Sequence, residues 1–145
     1  MIVFVLGALA IALPGNSGSS SPLSACSSLR SSAIVAAMGG LPQSIQGQVK
    51  RMVPDLAPAG ANFQRGDVIE QAGLPTRRFV GAVEGRYSWV VTYEHSQGSV
   101  HHFHAITFGR AAASDYAPVP HGVLTGPLCQ IADAALSGAL SADHL

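Results

Sequence analysis

The sequence predicts an α+β fold: N-terminal helices, a three-stranded antiparallel meander and a C-terminal helix. Three observations carry this. Apolar residues recur at helical spacing from Leu41 to Leu56, the period changes to two between Arg77 and Phe108, and an Ala-rich helical run follows Pro127. Helices before and after a small antiparallel sheet define the class.

The first element is the run Ile2–Leu13, which carries no charged or polar side chain. A bilayer-spanning helix needs about 20 apolar residues, so this run is too short, and no transmembrane span is expected. A Ser/Gly tract follows Pro14-Gly15, as in the middle and end of a secretory signal peptide, although no Lys or Arg precedes the run. Residues 1–25 therefore read as a leader, and residues 26–145 as one small α+β domain. That places the chain in an exported compartment, periplasmic or extracellular. Leu23-Ser24-Ala25-Cys26 also has the form of a lipobox, in which Cys26 would be lipidated and anchor the chain to a membrane. The polar spacer Pro14–Pro22 separates it from the apolar run.

The chain has two cysteines, Cys26 and Cys129. In an oxidising compartment such a pair invites a disulfide, which would compete with lipidation for Cys26. On its own, Cys129 also suits a small buried position on an Ala-rich helix face.

Ser27–Met38 reads as a short helix closed by Gly39-Gly40. In the second helix, Leu41, Ile45, Val49, Met52, Val53 and Leu56 form the apolar stripe. Pro42 suits its first turn and Pro54 its end. Ala57–Gln64 is a loop. Arg77–Val83, Arg86–His95 and Val100–Phe108 are rich in β-branched and aromatic residues and read as strands. Glu84-Gly85 and Gln97-Gly98 supply their turns. Ala111–Gly126, with Pro118 and Pro120, reads as irregular. The last helix would pack through Leu128, Ile131, Ala132, Ala135, Leu136 and Leu140.

Those turns set a register. Tyr93 falls opposite His102, Val91 opposite His104, Trp89 opposite Ile106, and Val80 and Arg78 opposite Trp89 and Val91. One sheet face then holds Val80, Trp89, Val91, Ile106 and Phe108 as core. Its far end gathers Arg78, Tyr93, His95, His102 and His104 into a candidate binding surface, while Glu94 and His101 meet on the other face.

His102-Phe103-His104 points two imidazoles the same way, and His95 could add a third nitrogen. Zinc favours such ligands, and a water in the fourth position would make a hydrolytic site. The bland alternative is a hairpin end decorated with half-buried histidines. No orienting carboxylates are evident, so no cofactor is required. Arg77-Arg78 suits bidentate recognition of a carboxylate or phosphate, or simply a solvated strand start.

Of 145 residues 48% are hydrophobic and 11% charged, with eight basic and eight acidic residues and zero net charge. That balance excludes the basic surface nucleic-acid binding depends on, and also a chain kept unfolded by charge. No Gly-x-Ser-x-Gly elbow, phosphate-binding glycine loop or Cys-x-x-Cys pair occurs. Arg65-Gly66-Asp67 is a tripeptide found by chance in many chains and marks a turn.

The segment Asp67-Val68-Ile69-Glu70-Gln71-Ala72-Gly73-Leu74-Pro75, followed by a strand with Trp89, resembles the short helix, Gly-x-Pro turn and Trp strand of BamE/SmpA-type outer-membrane lipoproteins. The resemblance implies a helix-helix-sheet layout and a role in the cell envelope. It does not extend to the C-terminal region or the histidine-rich strand. The leading expectation is an exported, non-catalytic binding domain with an envelope protein or small molecule as partner. A zinc-dependent hydrolase and a BamE/SmpA-like lipoprotein are the alternatives.

Overall fold

The computed structural model describes residues 20–29, 32–66, 71–97 and 100–141; the run Ile2–Leu13 lies outside them. The described residues form a mixed α+β fold around a six-stranded sheet. Strands β1 (Ala33–Val35), β3 (Arg77–Glu84), β4 (Ser88–Gln97), β5 (Val100–Arg110) and β6 (Tyr116–Gly126) lie side by side in that order. All these neighbours are antiparallel, and β2 (Leu56–Ala57) adds a short parallel pairing to the start of β3.

Helix α1 (Gln43–Met52) covers one face of the sheet. The carbonyl of Pro42 accepts from the Ile45 and Gln46 amides, and the Val53 amide closes the last turn on Val49. Pro54 follows and cannot extend the ladder. Leu41, Ile45, Val49 and Val53 bury their stripe against Phe79, Trp89, Val91, Ile106 and Phe108. Helix α2 (Leu128–Leu136) covers the opposite face through Ile131, Ala132 and Ala135, beside Val83, Val90 and Ala105. Leu140, expected in this stripe, lies beyond the helix and is exposed.

The sequence reading needs correction at several elements. Ser27–Met38 is not a helix. Ser27–Leu29 is one 3-10 turn, Ala33–Val35 pairs with the end of β3, and Met38–Gly40 is a second 3-10 turn. Serines that compete for backbone hydrogen bonds and β-branched Ile34 and Val35 favour this outcome. The meander is the centre of a larger sheet. Ala111–Gly126 contains β6 despite Pro118 and Pro120, because β6 is an edge strand whose outward amides have no ladder partner to lose. Between the pairs Ile106–Val123 and Phe108–Pro118, residues 119–122 bow out. His121 there takes a φ of 58°, and a Cβ on Gly122 would sit 2.8 Å from the Val119 carbonyl oxygen.

Packing also begins ahead of the boundary expected at Cys26. Pro22–Ala25 is a 3-10 turn capped by Ser21, and Leu23 is fully buried against Val83 and Ala132. Cys26 and Cys129 form a disulfide that ties this turn to the start of α2. One sulfur cannot hold both a disulfide and a thioether, so the lipidated alternative for Cys26 gives way. Of the segment resembling BamE/SmpA proteins, residues 67–70 lie outside the described set. Among the described residues one α-helix, not two, precedes the long strands. No described helix is long and apolar enough to cross a membrane.

Two outcomes follow for stability. Leu23→Ala should cost about 2–5 kcal/mol in urea unfolding, as for other fully buried leucines. Replacing both cysteines by serine should cost up to about 4.7 kcal/mol, the chain-entropy value for a loop of about 100 residues. Unchanged denaturation midpoints would refute the packing of this turn and the bridge respectively.

Candidate functional site

Cross-strand register arranges the α1 face in rows. Glu84, Trp89, Phe108 and Pro118 form one row, and Ala82, Val91, Ile106 and Val123 the next. Then come Phe79, Tyr93, His104 and Thr125, and finally Arg77, His95 and His102. The apolar core under α1 thus passes into a polar rim without leaving the face. Tyr93 and Phe79 are the hinge of that change, both buried.

The expected register was displaced, yet the face survived. Tyr93 pairs with His104 rather than His102, and Val91 with Ile106 rather than His104. A slip of two residues keeps every side chain on its side of a pleat with period two. Tyr93, His95, His102 and His104 therefore share one rim as expected.

Arg78 does not join them. A β-bulge between Phe79 and Gly81 reverses the alternation ahead of it, so Arg77 falls opposite His95 and Arg78 opposite Glu94. On that second face the Arg78 Nε–H donates to Glu94 Oε1, and its Nη1–H donates to the Ala61 carbonyl at 3.1 Å. The guanidinium lies 4.5 Å over the Phe63 ring. His101 Nε2 is 2.5 Å from Glu94 Oε2, which makes the Glu94–His101 contact expected from sequence, in a diagonal register. Glu94 is 5% exposed, and both of its oxygens are partnered. A cavity of about 190 Å³ opens beside the pair between Ser21, Pro22, Ala59 and Gly60. Its charged wall is already neutralised by the ion pair.

The rim is organised differently. The His104 ring stacks on Tyr93 with centroids 4.8 Å apart and planes 11° from parallel. His104 Nδ1 lies 3.0 Å from Thr125 Oγ1, a contact in which the hydroxyl donates when the imidazole carries its proton on Nε2. His95 sits 6.2 Å from His104, ring to ring. Burial disfavours the charged form of His95 and His104 and holds both below the ordinary histidine value; repulsion from Arg77 and His102 adds to this at both rings, and repulsion from His95 adds to it at His104. Burial likewise pushes the Tyr93 phenol up. Among the described residues no carboxylate shifts these groups.

Thr125 has no place in the expected rim, and Arg77, an anion-recognition candidate together with Arg78, takes the rim position expected for Arg78. Gly81, an isolated glycine within a strand, was the available signal for a bulge and hence for Arg77. Thr125 had no comparable signal, because β6 itself was read as irregular. For a metal, His95, His102 and His104 share the rim, but among the described residues no group of three or more His, Cys, Asp or Glu side chains closes into a metal-binding set. Comparisons with protein-family models, curated proteins and solved structures find no significant match to this chain.

The lowered imidazoles link stability to pH. An unfolded histidine titrates near pH 6.5, and the folded His95 and His104 titrate below that. Between those limits the unfolded chain binds more protons, so the stability present above about pH 6.5 is lost as pH falls. Urea midpoints should drop between pH 7.5 and 5.5, and His104→Gln should flatten the drop. A profile identical in wild type and variant would contradict this linkage.

Proposed function

We propose that the chain is a non-catalytic binding domain of an exported, oxidising compartment, with the rim of Arg77, Tyr93, His95, His102, His104 and Thr125 as its contact surface. The observation that carries this is the contrast between the two faces at the same end of the sheet. On one, Arg78, Glu94 and His101 satisfy each other, as charges serving only the fold do. On the other, a cation and three imidazoles lie together, and among the described residues no carboxylate is hydrogen-bonded to them. Titratable groups perturbed by burial and by neighbouring charges and gathered in one place are a physical mark of a functional site.

The disulfide supports the compartment, since such bonds persist where thiols are oxidised. Two features support binding over catalysis. The Thr125–His104 pair resembles a hydroxyl–base couple but has no carboxylate to orient the ring. A zinc-ligating imidazole is usually oriented through its second nitrogen by a carboxylate, a backbone carbonyl or water, and the described partner of His104 is instead the Thr125 hydroxyl. The zinc alternative uses the same side chains, so one experiment separates the two.

Amide and imidazole NMR spectra of the full chain should be followed through additions of zinc chloride, sodium acetate, inorganic phosphate and glucose. Shifts concentrated on Tyr93, His95, His102 and His104 are expected with at least one probe. Zinc binding with micromolar or tighter affinity at these imidazoles would support the metal reading instead. Shifts confined to the Arg78–Glu94 face, or absent with every probe, would remove the rim as contact surface.

A further inference from the structure

We infer that the rim binds an oxyanionic group, a carboxylate or a phosphate, through Arg77 and the ring N–H groups of His95, His102 and His104. The inference rests on the reading of the rim as a contact surface and specifies what that surface takes.

Charge decides the class first. Arg77 lies in one row with His95 and His102, so a permanent cation borders the imidazoles. Among the described residues that flank this face, Asp55 is the acid near enough to offset it. Helix α1 contributes Lys50 and Arg51 as its only charged residues, and β6 carries no acid. Glu84 stands at the far end of the face, in the row of Trp89, and Glu94 is turned to the opposite face. Asp55, beside β2, is the acid close enough to sense Arg77. It is engaged elsewhere: the Thr76 amide and hydroxyl both donate to its Oδ2 at 2.7 Å, which holds its carboxyl below the usual range. A divalent cation placed among the histidines would be repelled by Arg77, with the Asp55 charge beside β2 as the described counterweight, whereas an anion would be drawn to the guanidinium.

Donor geometry agrees. Arginine presents a planar fork of N–H groups that matches the paired oxygens of a carboxylate or phosphate. Arg77 makes one long contact, 3.5 Å to Thr76 Oγ1, and otherwise keeps that fork uncommitted among the described hydrogen bonds. Beside it, each imidazole offers at least one N–H. Their oxygen-binding direction is set by the Tyr93 stack and the Thr125 hydroxyl for His104. Arg78, by contrast, is unavailable, being committed to Glu94, Ala61 and Phe63. The two adjacent arginines thus divide the labour: one closes the fold, the other faces a ligand.

The test titrates the full chain with inorganic phosphate and, separately, with sodium acetate at constant ionic strength, read by NMR shifts of the rim. Saturable binding of at least one anion is expected, and comparing the two arms identifies the preferred oxyanion. Arg77→Gln should weaken it about tenfold, the scale of losing one charge-assisted contact, and His102→Gln should weaken it less. Arg77→Lys, which keeps the charge without the fork, should fall between. Arg86→Gln, an exposed arginine at the opposite end of the sheet, should bind as wild type. Linear, unsaturable shifts, or equal losses in the Arg77 and Arg86 variants, would overturn the inference. If zinc or glucose moves the rim and neither anion does, the oxyanion inference fails while the contact surface stands; if no probe moves it, both fail.

Discussion

The β-bulge at Val80 is the constraint on which the rest of the sheet depends. Two contacts hold it. The Ser21 hydroxyl donates to the Val80 carbonyl at 2.8 Å, satisfying an acceptor that an irregular strand leaves outside the ladder. Gly81 leaves room for that hydroxyl, since a Cβ there would stand 2.2 Å from Ser21 Oγ. The N-terminal turn and the irregularity in β3 are therefore one unit. Through that unit the strand changes faces, and the change decides which of two neighbouring arginines becomes structural.

The two faces solve the problem of charge near a core in opposite ways. Burying Glu94 is tolerable because Arg78 and His101 reach both of its oxygens; an unpaired carboxylate at that depth would incur several kcal/mol of desolvation. The face under α1 carries no such ion pair among the described residues, and burial there instead disfavours the charged form of His95 and His104. Neutrality near a core removes the desolvation penalty and leaves N–H groups that can donate. The disulfide clamps the covering turn and α2 on the compensated face, so the face under α1 keeps a rim beyond the reach of α2.

Much of this was legible in the sequence where the pattern was periodic and internal. Ile45 and Val49 marked the buried stripe of α1, and Ile131, Ala132 and Ala135 that of α2. Trp89, Val91, Ile106 and Phe108 marked a core face that tolerated an error in turn position, because a shift of two residues preserves the pleat. The same tolerance kept Tyr93, His95, His102 and His104 together. An odd change is what pattern reading does not survive, and the bulge is such a change: it exchanged Arg78 for Arg77. Strand β6 was hidden for another reason. Prolines argue against a central strand, but nothing local says that a strand is at an edge; only the finished sheet does. β1 and β2 are too short to show any period and depend on β3 for their pairing.

The bond between Cys26 and Cys129 spans a sequence separation of 103 residues, and every sheet strand falls between those two positions. Topologically, the sheet lies within a covalent ring closed by one sulfur–sulfur link. A single peptide cleavage in any loop of that ring opens it without producing two molecules. The halves remain tethered at high effective concentration, where strand pairing can re-form as an intramolecular event. In surroundings rich in proteases, such a chain can be nicked and still stay one particle until a reductant releases it.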